Sequence, residues 1–149
     1  MLFDPPIQYL LWFNVLIFLL LALLHLYWAA GGTWAFDAVL PRDEGGRRLL
    51  NPRRIDSFIV GTALLSMGAY LSVWGANVSI DLGPALAWFW DNAVWGMVVV
   101  FLLRAVGEFR YLGFFKRFRE SRFAWWDSCL YSPLCLWLGG SILGLIYLR

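Results

Sequence analysis

Uncharged stretches dominate the pattern of hydrophobic and polar positions along the chain. Residues 5–36, 57–80 and 128–148 contain no Asp, Glu, Lys or Arg. Residues 88–108 include charged positions near their ends but are purely apolar in the middle. Because a transmembrane helix needs about 20 predominantly apolar residues, the pattern predicts four such helices. The predicted spans are residues 7–30, 57–77, 88–108 and 131–148.

The composition is typical of a chain whose main solvent is lipid. Hydrophobic residues make up 61% of the 149 residues and charged residues 15%, whereas soluble domains are about 45–50% apolar and about 25% charged. A soluble protein of this size has too little interior to bury so much apolar surface. The composition therefore excludes a disordered chain, a nucleic-acid-binding module and a typical cytosolic enzyme. Residues 1–149 are predicted to form one all-α membrane domain, a four-helix bundle.

The basic residues predict the orientation of this bundle. Ten of the 12 Lys and Arg residues lie in the loops that follow the first and third spans. Since loops rich in Lys and Arg stay in the cytoplasm, both termini are predicted on the extracytoplasmic side of the inner membrane. Anionic headgroups of the cytoplasmic leaflet are the expected lipid partners, and nucleic acid is not expected. The ten residues are Arg42, Arg47, Arg48, Arg53, Arg54, Arg110, Lys116, Arg117, Arg119 and Arg122.

The loop between spans 3 and 4 has a helical pattern of its own. Its aromatic residues follow i, i+3, i+4, i+7 spacing, and basic residues occupy the other side. The pattern predicts a short amphipathic helix that lies on the inner leaflet. The aromatic residues are Tyr111, Phe114, Phe115 and Phe118, and the basic ones are Lys116, Arg117 and Arg119.

Two stripes of residues run along span 2. Gly61, Gly68 and Gly75 recur at heptad spacing, which indicates a surface that a neighbouring helix approaches closely. The second stripe is polar and either makes interhelical hydrogen bonds or lines a ligand cavity. The polar residues are Thr62, Ser66, Tyr70 and Asn77.

Span 4 carries two further signals. Ser132 followed by Pro133 predicts the start of a helix, and the positive end of that helix would favour an anion. Gly140 and Gly144 form a GxxxG motif. This motif indicates either packing inside the bundle or a homodimer contact.

The candidate functional groups cluster near the predicted cytoplasmic ends of the spans. Arg104 and Glu108 are four residues apart on one helix face, so they form either a local ion pair or a site where Arg104 binds an anion and Glu108 handles a proton. One histidine and two separated cysteines predict no metal site and no cofactor. The candidate catalytic residues are His25, Glu108 and Asp127, and the candidate ligand-binding residues are Trp28, Tyr70, Arg104, Arg110, Tyr131 and Ser132.

Three segments carry a resemblance to a known family. They are HLYWAAGG (residues 25–32), FLLRAVGEFRYLGFFKRFR (residues 101–119) and YSPLCL (residues 131–136). Together they resemble an uncharacterised family of small four-helix bacterial membrane proteins, catalogued as a domain of unknown function. The resemblance implies a bacterial inner-membrane protein with the topology given above. It implies no activity and no role for any residue.

Three functions fit these observations. The first is binding or conversion of an amphipathic, lipid-like ligand at the cytoplasmic end of the bundle, because polar candidates surround that end beside an aromatic loop. The second is an accessory or structural subunit of a membrane complex, with the glycines as packing surfaces. The third is a small-solute transporter with a polar path through Asn14 and the polar stripe of span 2.

Overall fold

Four long helices make up most of the structure. A computed structural model describes residues 4–40, 47, 49–76, 78, 83–111, 113–117 and 121–148. Within that part of the chain every helix of 18 residues or more is apolar enough to cross a membrane, which confirms the predicted all-α, four-helix architecture. The helices are α1 (Pro5–Ala29), α2 (Arg54–Gly75), α3 (Pro84–Val106) and α4 (Arg122–Tyr147), and a short 3₁₀ turn (Phe36–Ala38) follows α1.

The helix starts follow ordinary capping chemistry. Pro5 and Pro84 occupy the first turns of α1 and α3, where a missing N–H costs no hydrogen bond. At α2 the Asp56 carboxylate accepts a hydrogen bond of 2.7 Å from the Arg53 N–H. At α4 the Ser121 hydroxyl accepts one of 3.0 Å from the Ala124 N–H. The sequence around these positions therefore specifies where each helix begins.

The glycine stripe of α2 is the surface that packs against α1. Gly61, Gly68 and Gly75 are all buried. A Cβ added to Gly68 would lie 3.1 Å from Phe18 Cβ, and one added to Gly75 would collide with the Leu11 side chain. Close approach of small residues maximises dispersion contacts between helices in lipid. The prediction for this stripe is confirmed.

α3 packs against α4 in the same close manner, and the two helix pairs meet through α1 and α4. Gly139 of α4 is buried against Leu102, where an added Cβ would lie 2.8 Å from the Leu102 side chain. Across the pairs, the Ser141 hydroxyl donates a 2.8 Å hydrogen bond to the Asn14 Oδ1. The bundle interior contains thirteen buried hydrophobic side chains: Leu11, Phe18, Ala22, Leu64, Leu71, Trp74, Val94, Met97, Val98, Phe101, Leu138, Ile142 and Leu145.

Two surfaces for which the sequence leaves alternatives open lie partly on the outside of the bundle. Thr62 and Ser66 are exposed on the outside of α2, and the Ser66 hydroxyl donates to the Thr62 carbonyl of its own helix. Gly140 is exposed, and an added Cβ on Gly140 or Gly144 would have no neighbour within 4 Å. The GxxxG motif is therefore not an internal packing surface of the described chain. Asn77, the last residue of the predicted polar stripe, lies outside the described residues.

All described Lys and Arg residues lie at one end of the bundle, here named the basic end. The chain direction brings the end of α1, the start of α2, the end of α3 and the start of α4 to this end. The Tyr131 hydroxyl of α4 connects to the segment after α1 through a 3.5 Å hydrogen bond to the Ala38 carbonyl. The described residues are Arg47, Arg53, Arg54, Arg104, Arg110, Lys116, Arg117 and Arg122.

The prediction of an amphipathic helix between spans 3 and 4 is wrong for the residues that the structure describes. Residues 107–111 and 113–117 form bends, a turn and irregular backbone, and Lys116, placed by the pattern on a solvated face, is 2% exposed. Gly107 and Gly113 have φ angles of +81° and +84°, which a right-handed helix does not accommodate. Phe118 lies outside the described residues.

The start of the fourth helix also differs from its prediction. α4 begins at Arg122, and Ser132 lies inside it, so Ser132 is not an N-cap. The helix continues through Pro133 because the turn before the proline, Asp127–Tyr131, is π-helical. Wider π turns occur at such interruptions of the ordinary hydrogen-bond ladder. The positive end of this helix consequently lies at Ser121, about three turns before the predicted position.

Candidate functional site

Asp127 is the centre of a buried charge cluster at the basic end. Its side chain is fully buried, yet its carboxylate accepts three hydrogen bonds. Arg104 donates to Oδ1 at 2.9 Å, and the Gly113 N–H and Lys116 Nζ donate to Oδ2 at 2.8 and 2.9 Å. A carboxylate in an apolar interior is stable only when it is paired and hydrogen-bonded in this way.

Lys116 reaches Asp127 from the loop between α3 and α4. Its ammonium group also donates to the Ser128 hydroxyl at 2.7 Å and to the Gly113 carbonyl at 3.1 Å. The three donor positions of a lysine are thereby directed at oxygen atoms. Lys116 was expected on a solvated face, so its burial is a feature that the sequence pattern did not reveal.

The backbone of this loop is shaped by glycine. Gly113 has a φ of +84°, and a Cβ at this position would collide with the Val106 carbonyl at the end of α3. The loop is held there by a 2.9 Å hydrogen bond from the Phe114 N–H to the Ala105 carbonyl. This close approach carries the Gly113 N–H and Lys116 toward α4. We conclude that glycine is required at position 113 for the cluster to form.

The π turn of α4 aligns Ser132 with Asp127. The Ser132 N–H donates to the Asp127 carbonyl across the turn, so Ser132 follows Asp127 on the same side of the helix. Ser132 is fully buried, and its hydroxyl oxygen has no hydrogen-bond partner among the described residues. Arg104 Nη1 is likewise buried and without such a partner. The cluster thus contains two donor groups that its own side chains do not satisfy.

The charges of the cluster do not cancel. Arg104 and Lys116 contribute two positive charges, and Asp127 contributes one negative charge. Glu108, the predicted local partner of Arg104, is exposed, and Arg104 pairs instead with Asp127, 23 residues along the chain. The predicted ion pair between Arg104 and Glu108 is therefore wrong. With one net positive charge, the cluster favours an anion nearby.

His25 and Trp28 belong to a neighbouring aromatic cluster. Their rings pack edge to face with centroids 4.9 Å apart, and the Trp28 Nε1–H donates to the Trp34 carbonyl at 2.9 Å. His25 Nδ1 lies 2.8 Å from the Leu21 carbonyl, and because a carbonyl oxygen accepts, Nδ1 is the donor in this hydrogen bond. Trp28 is buried and also packs against Phe36. This cluster connects the end of α1 to the segment that follows it.

The structure brings some of the predicted site residues together and separates others. Arg104 and Asp127 form the charge cluster together with Lys116, and Tyr131 and Ser132 lie near Asp127 on α4. Arg110 is exposed and stacks over the Tyr111 ring at 5.1 Å. Tyr70 lies away from the site, because its hydroxyl donates to the Trp90 carbonyl near the start of α3. Glu108, His25 and Trp28 lie outside the cluster.

Chain length places the cluster close to the membrane boundary. Counted back from Tyr147, about 20 residues of helix reach Ser128, and counted forward from Pro84, about 20 reach Leu103. Asp127 and Arg104 are the next residues in each case. Both groups would therefore lie where the hydrocarbon gives way to polar headgroups.

The fold and the cluster together define a class of protein. Four helices are long and apolar enough to span a bilayer, and most large side chains on their outer faces are exposed hydrophobics. A soluble protein does not tolerate such a surface, so the class is that of multi-pass membrane proteins. Among the described residues, no group of three His, Cys, Asp or Glu side chains could hold a metal ion.

The family follows from comparison with known sequences. Residues 18–142 match the family described as "Protein of unknown function (DUF3995)". The chain belongs to this family, which confirms the resemblance carried by the three segments. No curated protein and no solved structure matches the chain significantly.

Proposed function

We propose that this membrane protein binds the anionic headgroup of an amphipathic ligand at its basic end. The observation that supports the proposal is the pair of unpartnered donors, Arg104 Nη1 and Ser132 Oγ, beside the fully buried Asp127. A buried donor without an acceptor costs free energy, about 1–3 kcal/mol for a neutral group. The oxygens of an anionic headgroup would accept hydrogen bonds from these donors and would complement the net positive charge of the cluster.

Binding has more support than proton transfer in this site. Both carboxylate oxygens of Asp127 already accept hydrogen bonds from Arg104, Gly113 and Lys116. His25 is bonded to its own helix and Glu108 is exposed. A general base must reach the proton it removes, and none of these three described candidates is free to do so beside the unpartnered donors.

A transporter has less support. Thr62 and Ser66 face outward from α2, so they do not line a path between the helices. Asn14 is buried, but its amide donates to the Leu10 carbonyl and its oxygen accepts from Ser141. Of the described candidates for a path, Asn14 therefore connects α1 to α4, and Thr62 and Ser66 lie on the outside of the bundle.

Thermal unfolding in a neutral maltoside detergent tests the proposal with dodecyl phosphate as the probe. We expect dodecyl phosphate to raise the Tm of the wild type, because a ligand that binds only the folded state stabilises it. The increase should be lost in Arg104→Gln and reduced in Ser132→Ala. Without the probe, Ser132→Ala should be about 1 kcal/mol more stable than wild type, since the unsatisfied hydroxyl is removed.

Arg110→Gln is the matched control, since it removes an exposed arginine from the same end of α3. It should retain the full Tm increase with dodecyl phosphate. Dodecylphosphocholine, whose headgroup is neutral overall, should raise the Tm less than dodecyl phosphate does. An equal response of Arg104→Gln and Arg110→Gln to dodecyl phosphate would contradict the proposal.

A further inference from the structure

An apolar groove with one cationic residue opens on the opposite helix pair. It lies between the last turn of α1 and the first turns of α2, with a volume of about 460 Å³. This volume is in the range of small-molecule sites in proteins. Five of the six residues that line it are apolar. The lining residues are Leu26, Ala29, Ala30, Arg54, Ile55 and Phe58.

Arg54 lies at the polar end of this groove. Its side chain is exposed, and its guanidinium lies against Gly31, where an added Cβ would come within 3.0 Å of Nη2. Gly31 follows the end of α1, where the helix dipole is negative and favours a cation. This contact holds the Arg54 charge beside the groove while leaving it accessible.

The groove also lies at a suitable depth for a lipid. Arg54 is the first residue of α2 and Ala29 is the last residue of α1, so this end of the groove is at the end of both hydrocarbon-spanning segments. Ile55 and Phe58, both more than half exposed, continue from Arg54 along α2. A cation at the headgroup level is thus followed by an apolar channel toward the bilayer centre.

We propose that this groove binds one anionic phospholipid, with its phosphate on Arg54 and an acyl chain against Leu26 and Phe58. A phospholipid complements both kinds of lining residue. Its negative headgroup matches the Arg54 guanidinium, and its acyl chain matches the apolar side chains. A second transmembrane helix laid on the groove would cover Arg54 without supplying an anion, and a buried unpaired charge is strongly unfavourable. The site is separate from the Asp127 cluster, which lies between α3 and α4 and the loop that joins them.

Native mass spectrometry of the full chain tests this proposal. The protein is purified in a neutral detergent and titrated with phosphatidylglycerol or phosphatidylcholine of matched chains. We expect the first phosphatidylglycerol to bind Arg54→Gln about tenfold more weakly than wild type, because a charge-assisted contact is lost. Ala29→Phe, which fills the groove and keeps the charge, should weaken both lipids.

Arg53→Gln is the matched control, because Arg53 is the exposed neighbour of Arg54 and does not line the groove. It should bind phosphatidylglycerol as wild type does. Equal weakening in Arg53→Gln and Arg54→Gln would overturn the proposal. Equal affinity of wild type for the two lipids, or a dimer that persists after delipidation and dissociates in Ala29→Phe, would overturn it as well.

Discussion

At the scale of single residues, the choice of ion-pair partner decides how the basic end is built. Spacing along α3 favours a pair between Arg104 and Glu108, because residues four apart share a helix face. In the structure Arg104 bonds to Asp127 instead. A local pair at the surface contributes little, whereas Asp127 is fully buried and depends on its cations. This preference rests on burial, which spacing along the sequence does not encode.

Replacing the carboxylate measures that dependence. We expect Asp127→Asn to lower the free energy of unfolding by about 3–5 kcal/mol, because Lys116 is left as a buried cation without its anion. Lys116→Met added to Asp127→Asn should recover part of the loss, with a coupling energy of about 1–3 kcal/mol. The measurement is denaturant unfolding in mixed micelles.

Glu108→Gln is the control for this experiment. Because Glu108 is exposed, its replacement should change stability by less than about 0.5 kcal/mol. A loss from Glu108→Gln as large as that from Asp127→Asn would show that the local pair, and not the buried cluster, stabilises the protein.

At the scale of elements, the loop between α3 and α4 shows where periodicity misleads. The aromatic spacing from Tyr111 onward satisfies a helical template, but Gly113 takes a positive φ and lies against the backbone of Val106. Lys116, 11 residues before Asp127, then turns inward to meet it. A long-range ion pair and a close backbone contact outweigh a local aromatic pattern that spans eight residues of sequence.

Gly113→Ala tests the loop directly. We expect a loss of more than about 2 kcal/mol in the free energy of unfolding, because the added Cβ meets the Val106 carbonyl and the left-handed backbone becomes strained. Gly96→Ala on α3 is the matched control, since an added Cβ there has no neighbour within 4 Å. It should be neutral or stabilise by about 0.5–1 kcal/mol. Similar losses in the two variants would contradict the assigned role of Gly113.

At the scale of the whole molecule, the four helices could be predicted from the sequence, whereas the contacts between them could be predicted only in part. Charge-free stretches and the need for about 20 apolar residues per crossing identify three of the spans, and the apolar middle of residues 88–108 identifies the other. The glycine stripe also identifies the face of α2 that packs against a neighbouring helix, because heptad spacing can be recognised within a single helix. The pairing of the helices depends on contacts between side chains that are far apart in sequence, such as Asn14 and Ser141. A single sequence does not reveal which of these side chains meet.

The predicted orientation is a whole-molecule property that labelling can measure. We expect a cysteine at Asp91 to react with an impermeant maleimide in intact cells, and a cysteine at Glu108 to react only after lysis. Both positions are exposed; Asp91 lies in the first half of α3, and Glu108 follows its last residue, Val106, at the basic end. The native thiols at Cys129 and Cys135 are first replaced by alanine, since both are free. The reverse labelling pattern would show that the basic end faces outward.

The π turn at Asp127–Tyr131 has a geometric consequence for α4. Its hydrogen bonds span one more residue than those of an α-helix, so the helix before it is rotated by about 100° relative to the helix after it. Leu138, Ile142 and Leu145 can face the bundle interior while Asp127 faces the α3–α4 loop. The turn therefore rotates the face of α4 that carries Asp127 relative to the face that packs in the bundle interior. Deletion of a single residue there, for instance the exposed Cys129, would restore continuous α-helical geometry. The part of α4 before the deletion would then rotate and direct Asp127 away from Lys116.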